Sequence, residues 1–298
     1  MIETIENKVL SMEFNGVWDL IEFIDEHRLP TRKEMRKAIG NTVFSMRETR
    51  SSDPWGGTNT WKQADKLARH GWQERANKIR TKAAALYAEV MDEFPSKFVP
   101  TISDVGDEVD VVRYLSNEYE HMIAYPLVED RGVLRHVKIC VMGNYLGDFH
   151  EATNRGIAIA TLIDVLEQNG FSAEVDLVFN SSVDSCVPEF STHRMILPLK
   201  KAGDMMEISS MAYWLAHKSA FRRHGFAVRE ITDLQKGSRI CSDYGRSENV
   251  PKSFQENYNL YFPTPRKNSE FATPRVAFFN MLMVAQEQGY LPHIENTK

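Results

Sequence analysis

Asp148, His150 and Glu151 stand close together in the chain, and Arg155 follows one helical turn later. Two carboxylates and an imidazole at this spacing could ligate a divalent cation or act as acid and base, with the guanidinium holding an anion. Asn144 opens the same polar stretch. A purely structural reading competes: Asp148 and Glu151 favour a helix N-terminus electrostatically, and His150 is exposed. Trp55 and Trp61 flank the Gly56–Gly57 pair. They offer either an aromatic platform for a ligand or base, or a lid that closes an apolar cluster over a helix end. Lys62, Lys66, Arg69, Arg75, Lys78, Arg80 and Lys82 stand against only Asp65 and Glu74, which makes 62–82 the most basic segment. It could track a nucleic-acid backbone, or be a solvated helix face paired with the acidic stretch 104–130. Arg222, Arg223 and His224 follow an apolar helix, where cations complement its C-terminus. Ser185 and Cys186 lack the G-x-S-x-G frame of an activated nucleophile, and Cys140 reads as core packing. Neither GxGxxG nor GxxxxGK[ST] is present, so no residue is assigned as catalytic or as a metal ligand, and no cofactor is expected.

Bulk properties narrow the setting. The 298 residues suffice for one large or two small domains, and 42% hydrophobic with 26% charged residues is ordinary globular composition. A formal net charge of -5 argues against a protein that coats nucleic acid or anionic membrane. Cys140, Cys186 and Cys241 are far apart and form no CxxC pair, which points to a reducing compartment. The polar start, Met1 to Phe14, has no apolar core of a signal peptide, and no apolar run reaches the ~18 residues of a membrane span. Together these place the protein in the cytoplasm.

The elements that must position these residues divide into two regions. Residues 1–128 read as mainly helical. Trp18, Ile21 and Ile24 share one helix closed by Pro30, a second helix covers 33–47, and Ala64 to Met91 recur at helical spacing with an interruption at Gly71. The acidic stretch carries one short helix over 109–121. Residues 129–298 read as an α/β domain. Val137 to Gly143 is a strand apolar on both faces, as in the middle of a parallel sheet. Thr153 or Asn154 caps the next helix, Gly170 ends it, and Ala173 to Phe179 alternates as a second strand. Arg194 to Leu199 reads as an edge strand because Pro198 lacks a ladder donor. A helix over Ile208 to Leu215, a strand over Tyr258 to Phe262 and a final helix opened by Thr273 and Pro274 complete the alternation. The expected fold is α/β: a helical N-terminal region, then an open, mostly parallel, Rossmann-like sheet with flanking helices.

The run from Val137 to Asp148 and then from Arg155 to Val175 resembles the opening of a von Willebrand factor A domain, of the branch found in cobalt-chelatase-like proteins. That family binds metal through Asp-x-Ser-x-Ser after the first strand. Here Met142 to Leu146 occupies the stretch, and the aspartate and both serines are missing, so the resemblance carries the fold without the metal site. A second resemblance spans more of the chain. Trp55 to Thr58 with Trp61, His70 to Trp72, Asp110 to Leu115 with Met122, the Arg155–Gly156 helix and Phe221 to Phe226 resemble uncharacterised proteins of tailed bacteriophages. It implies a phage protein made in a bacterial cytoplasm. The expected function is a non-catalytic adaptor that binds another protein of phage or host, without membrane contact. The alternatives are a metal-assisted hydrolase using Asp148, His150 and Glu151, and a nucleic-acid-associated protein using 62–82.

Overall fold

The computed structural model describes residues 1–27, 31, 33–34, 37, 56–91, 101–106, 108–124, 135–143, 149–182, 190–236, 246–264 and 270–292. Most of the helix expected over 33–47 lies outside these residues, as do Ser185, Cys186 and Cys241.

The fold class is α/β, as expected. Its centre is a strand–helix–strand unit: β6 (Arg135–Met142), α5 (Phe149–Gln168) and β7 (Phe171–Ser182), with β6 and β7 paired in parallel. α5 is buried nearly all round from Ala152 to Leu166, because Ile157, Ile159, Leu162, Ile163, Val165 and Leu166 point in several directions around the helix. Such a helix must be surrounded. Gly170 leaves it at φ 81, the left-handed conformation that glycine adopts without strain.

The rest of the sheet differs from expectation in two places. Residues 1–13 form a hairpin rather than a helical start: β1 (Ile2–Glu6) and β2 (Val9–Glu13) are antiparallel around Asn7 and Lys8, both at positive φ. The strand β8 (Thr192–Lys200) is interior. It pairs in parallel with β2 and antiparallel with β7, giving the order β1-β2-β8-β7-β6-β10, with β10 (Leu260–Phe262) parallel to β6 and β9 (Arg246–Ser247) on β7. Pro198 is tolerated because β2 covers β8 only from Thr192 to Ile196, so the missing donor falls beyond the last β2 pair. Residues on both sides of position 128 thus contribute to one sheet.

Helices are concentrated on one face of the sheet. α5, α1 (Val17–Glu26), α6 (Ile208–Ala216), α7 (Phe226–Gln235) and α9 (Pro274–Glu287) share a core with Val137, Ile139 and Val141 of β6 and with Val175 and Leu177 of β7. Thr273 Oγ1 accepts the Val276 amide at 3.2 Å, the expected cap of α9. Thr153 and Asn154 are not caps, since α5 begins at Phe149; Asn154 instead donates to the carbonyls of Phe271 and Ala272 at 3.0 Å. Two further helices, α2 (Trp61–His70) and α3 (Gln73–Met91), are separated at Gly71, where a break was expected. α3 lays Ile79 and its neighbours Ala76 and Ala83 against Ile157, Ala160 and Ala212.

The opposite face is covered by the chain around α8 (Lys252–Gln255), which packs Val250, Phe254 and Tyr258 on Cys140, Met142, Val178 and Ile196. Polar groups fasten it. Tyr258 donates to Asp176 Oδ2 at 2.9 Å, Lys138 Nζ reaches the same oxygen at 3.2 Å, and the Arg194 guanidinium lies 4.1 Å from the Phe254 ring centre.

Candidate functional site

Of the residues expected to act together after β6, the structure describes His150, Glu151 and Arg155. His150 is exposed in the first turn of α5 and Glu151 is half-buried, whereas Arg155 is 1% exposed. Five positions at ~100° each place Arg155 well round the helix from His150. Asn144, Asp148 and Trp55 lie outside the described residues. Among the described residues no three His, Cys, Asp or Glu side chains form a group that could hold a metal ion.

Trp61 opens α2, with its ring centre 4.9 Å from that of His224. The basic segment forms α2 and α3. Lys62, Lys66, Lys78, Arg80 and Lys82 are exposed on it. Arg69 bridges Asp25 at 2.6 Å and Asp65 at 3.0 Å, and Arg75 lies over Trp72 at 4.8 Å. The acidic stretch meets its own cation: Arg113 pairs with Glu118 at 2.9 Å and faces Asp110 at 3.8 Å.

A constellation that sequence reasoning missed lies between α6 and α7. α6 ends at Ala216, His217 takes an extended conformation, and a π-helical turn over Ala220–Gly225 leads directly into α7. The wider π turn shifts side chains around the axis relative to an α-helix. Arg223 and His224, expected to complement a helix C-terminus, are both 1% exposed. The Arg223 guanidinium donates to the Thr58 carbonyl and lies over Gly56, where a Cβ would sit 2.9 Å from Nη2. Ser219 fixes the same loop by donating its hydroxyl to the Gly56 carbonyl at 2.6 Å. His224 Nδ1 is 2.8 Å from the Tyr213 hydroxyl, and His217 Nδ1 accepts the Ser219 amide at 3.1 Å. Burial drives the His217 pKa down to about 4 and that of His224 down to about 3, with His224, Arg75, Arg223 and Lys218 adding to the first and Arg223 and Arg69 to the second. Both rings are neutral near pH 7. Arg223 Nε and Nη1 find no hydrogen-bond partner among the described residues, a costly state for a buried cation. The one advance sign was the Phe221–Phe226 run itself, whose adjacent cations sit between apolar residues on both sides.

The second feature is a small sheet formed by the acidic stretch. β3 (Thr101–Ser103), β5 (Met122–Ala124) and β4 (Glu108–Val109) are antiparallel in that order, with α4 (Val111–Leu115) beside them. Only the short helix was expected; strands of two and three residues leave no readable alternation. Asp110 caps α4 by accepting the amides of Val112 and Arg113 at 3.1 and 3.2 Å. The unit is too small to bury its own apolar residues. Val105 is 74%, Val112 75%, Leu115 77% and Tyr119 80% exposed, and Val109, Val111 and Tyr114 are also open to solvent. Asp104, Glu108, Glu118 and Glu120 are exposed around them.

Against known families the chain matches one model, the domain of unknown function DUF7192, over residues 2–288. It belongs to that family. The match takes in the N-terminal hairpin, the acidic unit and the central sheet. No curated protein and no solved structure matches the chain. No described helix is long and apolar enough to cross a membrane.

Proposed function

We propose that this chain is a non-catalytic binding protein, an adaptor that works through protein–protein contacts in the cytoplasm of a phage-infected bacterium. The observation that carries the reading is the apolar surface of the 101–124 unit. Valine, leucine and tyrosine side chains that are three-quarters exposed gain little for folding, and apolar side chains held open among charged ones are what a partner protein covers. Tyrosine and aliphatic anchors amid acidic residues suit a partner with a complementary basic rim. The phage setting, and the likeness of the central unit to a von Willebrand A core without its metal motif, rest on the sequence resemblances.

A nucleic-acid reading has its own observation, the exposed Lys62, Lys66, Lys78, Arg80 and Lys82 on α2 and α3. The two readings part in a capture experiment with the tagged chain from infected cells, with and without nuclease. A protein that stays bound after nuclease supports the adaptor. Partners that all leave on nuclease treatment move the basic helices to the front, and their affinity then falls steeply with salt.

A further inference from the structure

We propose that, in the absence of a foreign partner, the 101–124 unit of one chain docks on the basic outer face of α3 of a second copy. This pairing rests on the reading of the unit as a docking surface, and it adds what occupies that surface in the protein alone. The two regions carry opposite charge in equal measure. Residues 101–124 hold six acids against the single Arg113, a net of -5, and residues 62–82 hold seven cations against two acids, a net of +5, with histidine neutral. They do not neutralise one another within the chain. Among the described residues Lys62, Lys66, Lys78 and Lys82 make no ion pair, nor do Asp104 and Glu120, and Arg113 pairs within its own unit.

α3 supplies more than charge. Ala76, Ile79, Ala83 and Leu86 form its buried side. At ~100° per residue, Thr81, Ala84, Ala85 and Ala88 fall on the opposite side, and all four are exposed. Lys78 and Lys82 border this strip on one edge and Arg80 on the other. The strip is low and largely apolar, with no long side chain to displace. The 101–124 unit offers the counterpart: Val112, Leu115 and Tyr119 are about three-quarters exposed, Glu118 and Glu120 flank Tyr119 in the chain, and Asp104 precedes the exposed Val105. Apolar residues within a polar rim are the anatomy of a protein–protein contact, and rims of opposite sign decide which faces meet.

A second copy answers both surfaces at once, whereas nucleic acid answers one. A phosphate backbone would neutralise the lysines of α3 but leave the valines and leucine of the acidic unit in water, and the chain's net charge of -5 repels it. The two docking faces are unlike, so the contact is heterologous. Each added copy leaves one acidic unit and one α3 face free, and copies join head to tail into rings or open chains. The apolar side chains of the unit are thereby kept from water until a foreign protein displaces the neighbouring copy.

Sedimentation velocity of the purified full chain, before and after nuclease treatment, tests it against two double variants, Asp104→Lys with Glu120→Lys and Lys78→Glu with Lys82→Glu. All four positions are exposed. The wild type is expected to grow beyond the monomer with rising protein concentration at ~50 mM salt, and to return to it at ~500 mM, where exposed charges are screened. Each variant alone is expected to stay monomeric at low salt, with a thermal melt matching wild type. An equimolar mixture of the two is expected to recover association, because the intact acidic unit of one meets the intact α3 face of the other. A wild type that stays monomeric at low salt, association that disappears with nuclease, wild-type association by either variant alone, or a monomeric mixture would overturn it. No foreign protein is present, so such a result removes self-docking alone, and capture from infected cells judges the adaptor reading separately.

Discussion

At the scale of single residues, three buried histidines make the protein sensitive to acid. Burial holds His193 and His224 at about 3 and His217 at about 4, with Arg229 adding to the effect at His193. Each folded-state value lies below the ~6.5 of an unfolded chain. Between those values the unfolded chain binds more protons, so the stability these rings contribute is complete above pH 6.5 and is lost as pH falls toward 4. Each contributes up to ~1.4 kcal/mol per pH unit in that window. Urea midpoints should therefore fall steadily from pH 7 to pH 5, and a flat profile would show that the rings are not held neutral. Gly143 tests packing at the end of β6 in the same way. A Cβ there would lie 2.6 Å from the Phe179 ring, so Gly143→Ala should cost ~1–3 kcal/mol in urea unfolding, as overpacked sites do.

At the scale of elements, legibility followed period length. β6, α5 and β7 were readable because each is long enough to show its period, and Gly170 and Thr273 mark helix ends by chemistry that acts within one turn. The N-terminal hairpin was hidden by its turn. Both turn residues need positive φ, and Lys8 stands where glycine is the usual signal. β8 was readable as a strand but not as an interior one, since its neighbour β2 arrives from the far end of the chain. The Arg223–His224 cluster was illegible for a different reason. A π turn changes which side of a helix a residue faces, and local propensity carries no mark of it. The close fit of α3 on α5 yields a prediction at this scale. Ile79 lies 3.6 Å from where a Gly156 Cβ would be, among small residues that let the helices approach. Ile79→Ala should destabilise by ~2–5 kcal/mol in urea titration, and a loss under ~1 kcal/mol would mean that α3 contributes little to the core.

At the scale of the whole molecule, one sheet carries helices on one face and a thin polar-fastened cover on the other, and both ends of the chain take part in it. Against this buried body the 101–124 unit stands out, because Val105, Val112, Leu115 and Tyr119 are each about three-quarters exposed. The sequence marked this stretch by its acidity and said nothing of its apolar surface, since Val105, Val109, Val112 and Leu115 are spaced like residues destined for a core. Their exposure is a property of the unit's size. The adaptor reading therefore depends on this surface, and one comparison bears on it most directly: capture from infected cells by the wild-type chain against a Val112→Asp, Leu115→Asp double variant, both nuclease-treated and both checked by thermal melting. The account predicts a defined protein bound by the wild type and lost at least tenfold by a variant whose melting is unchanged. A folded double variant that captures the same protein as fully as the wild type would contradict it.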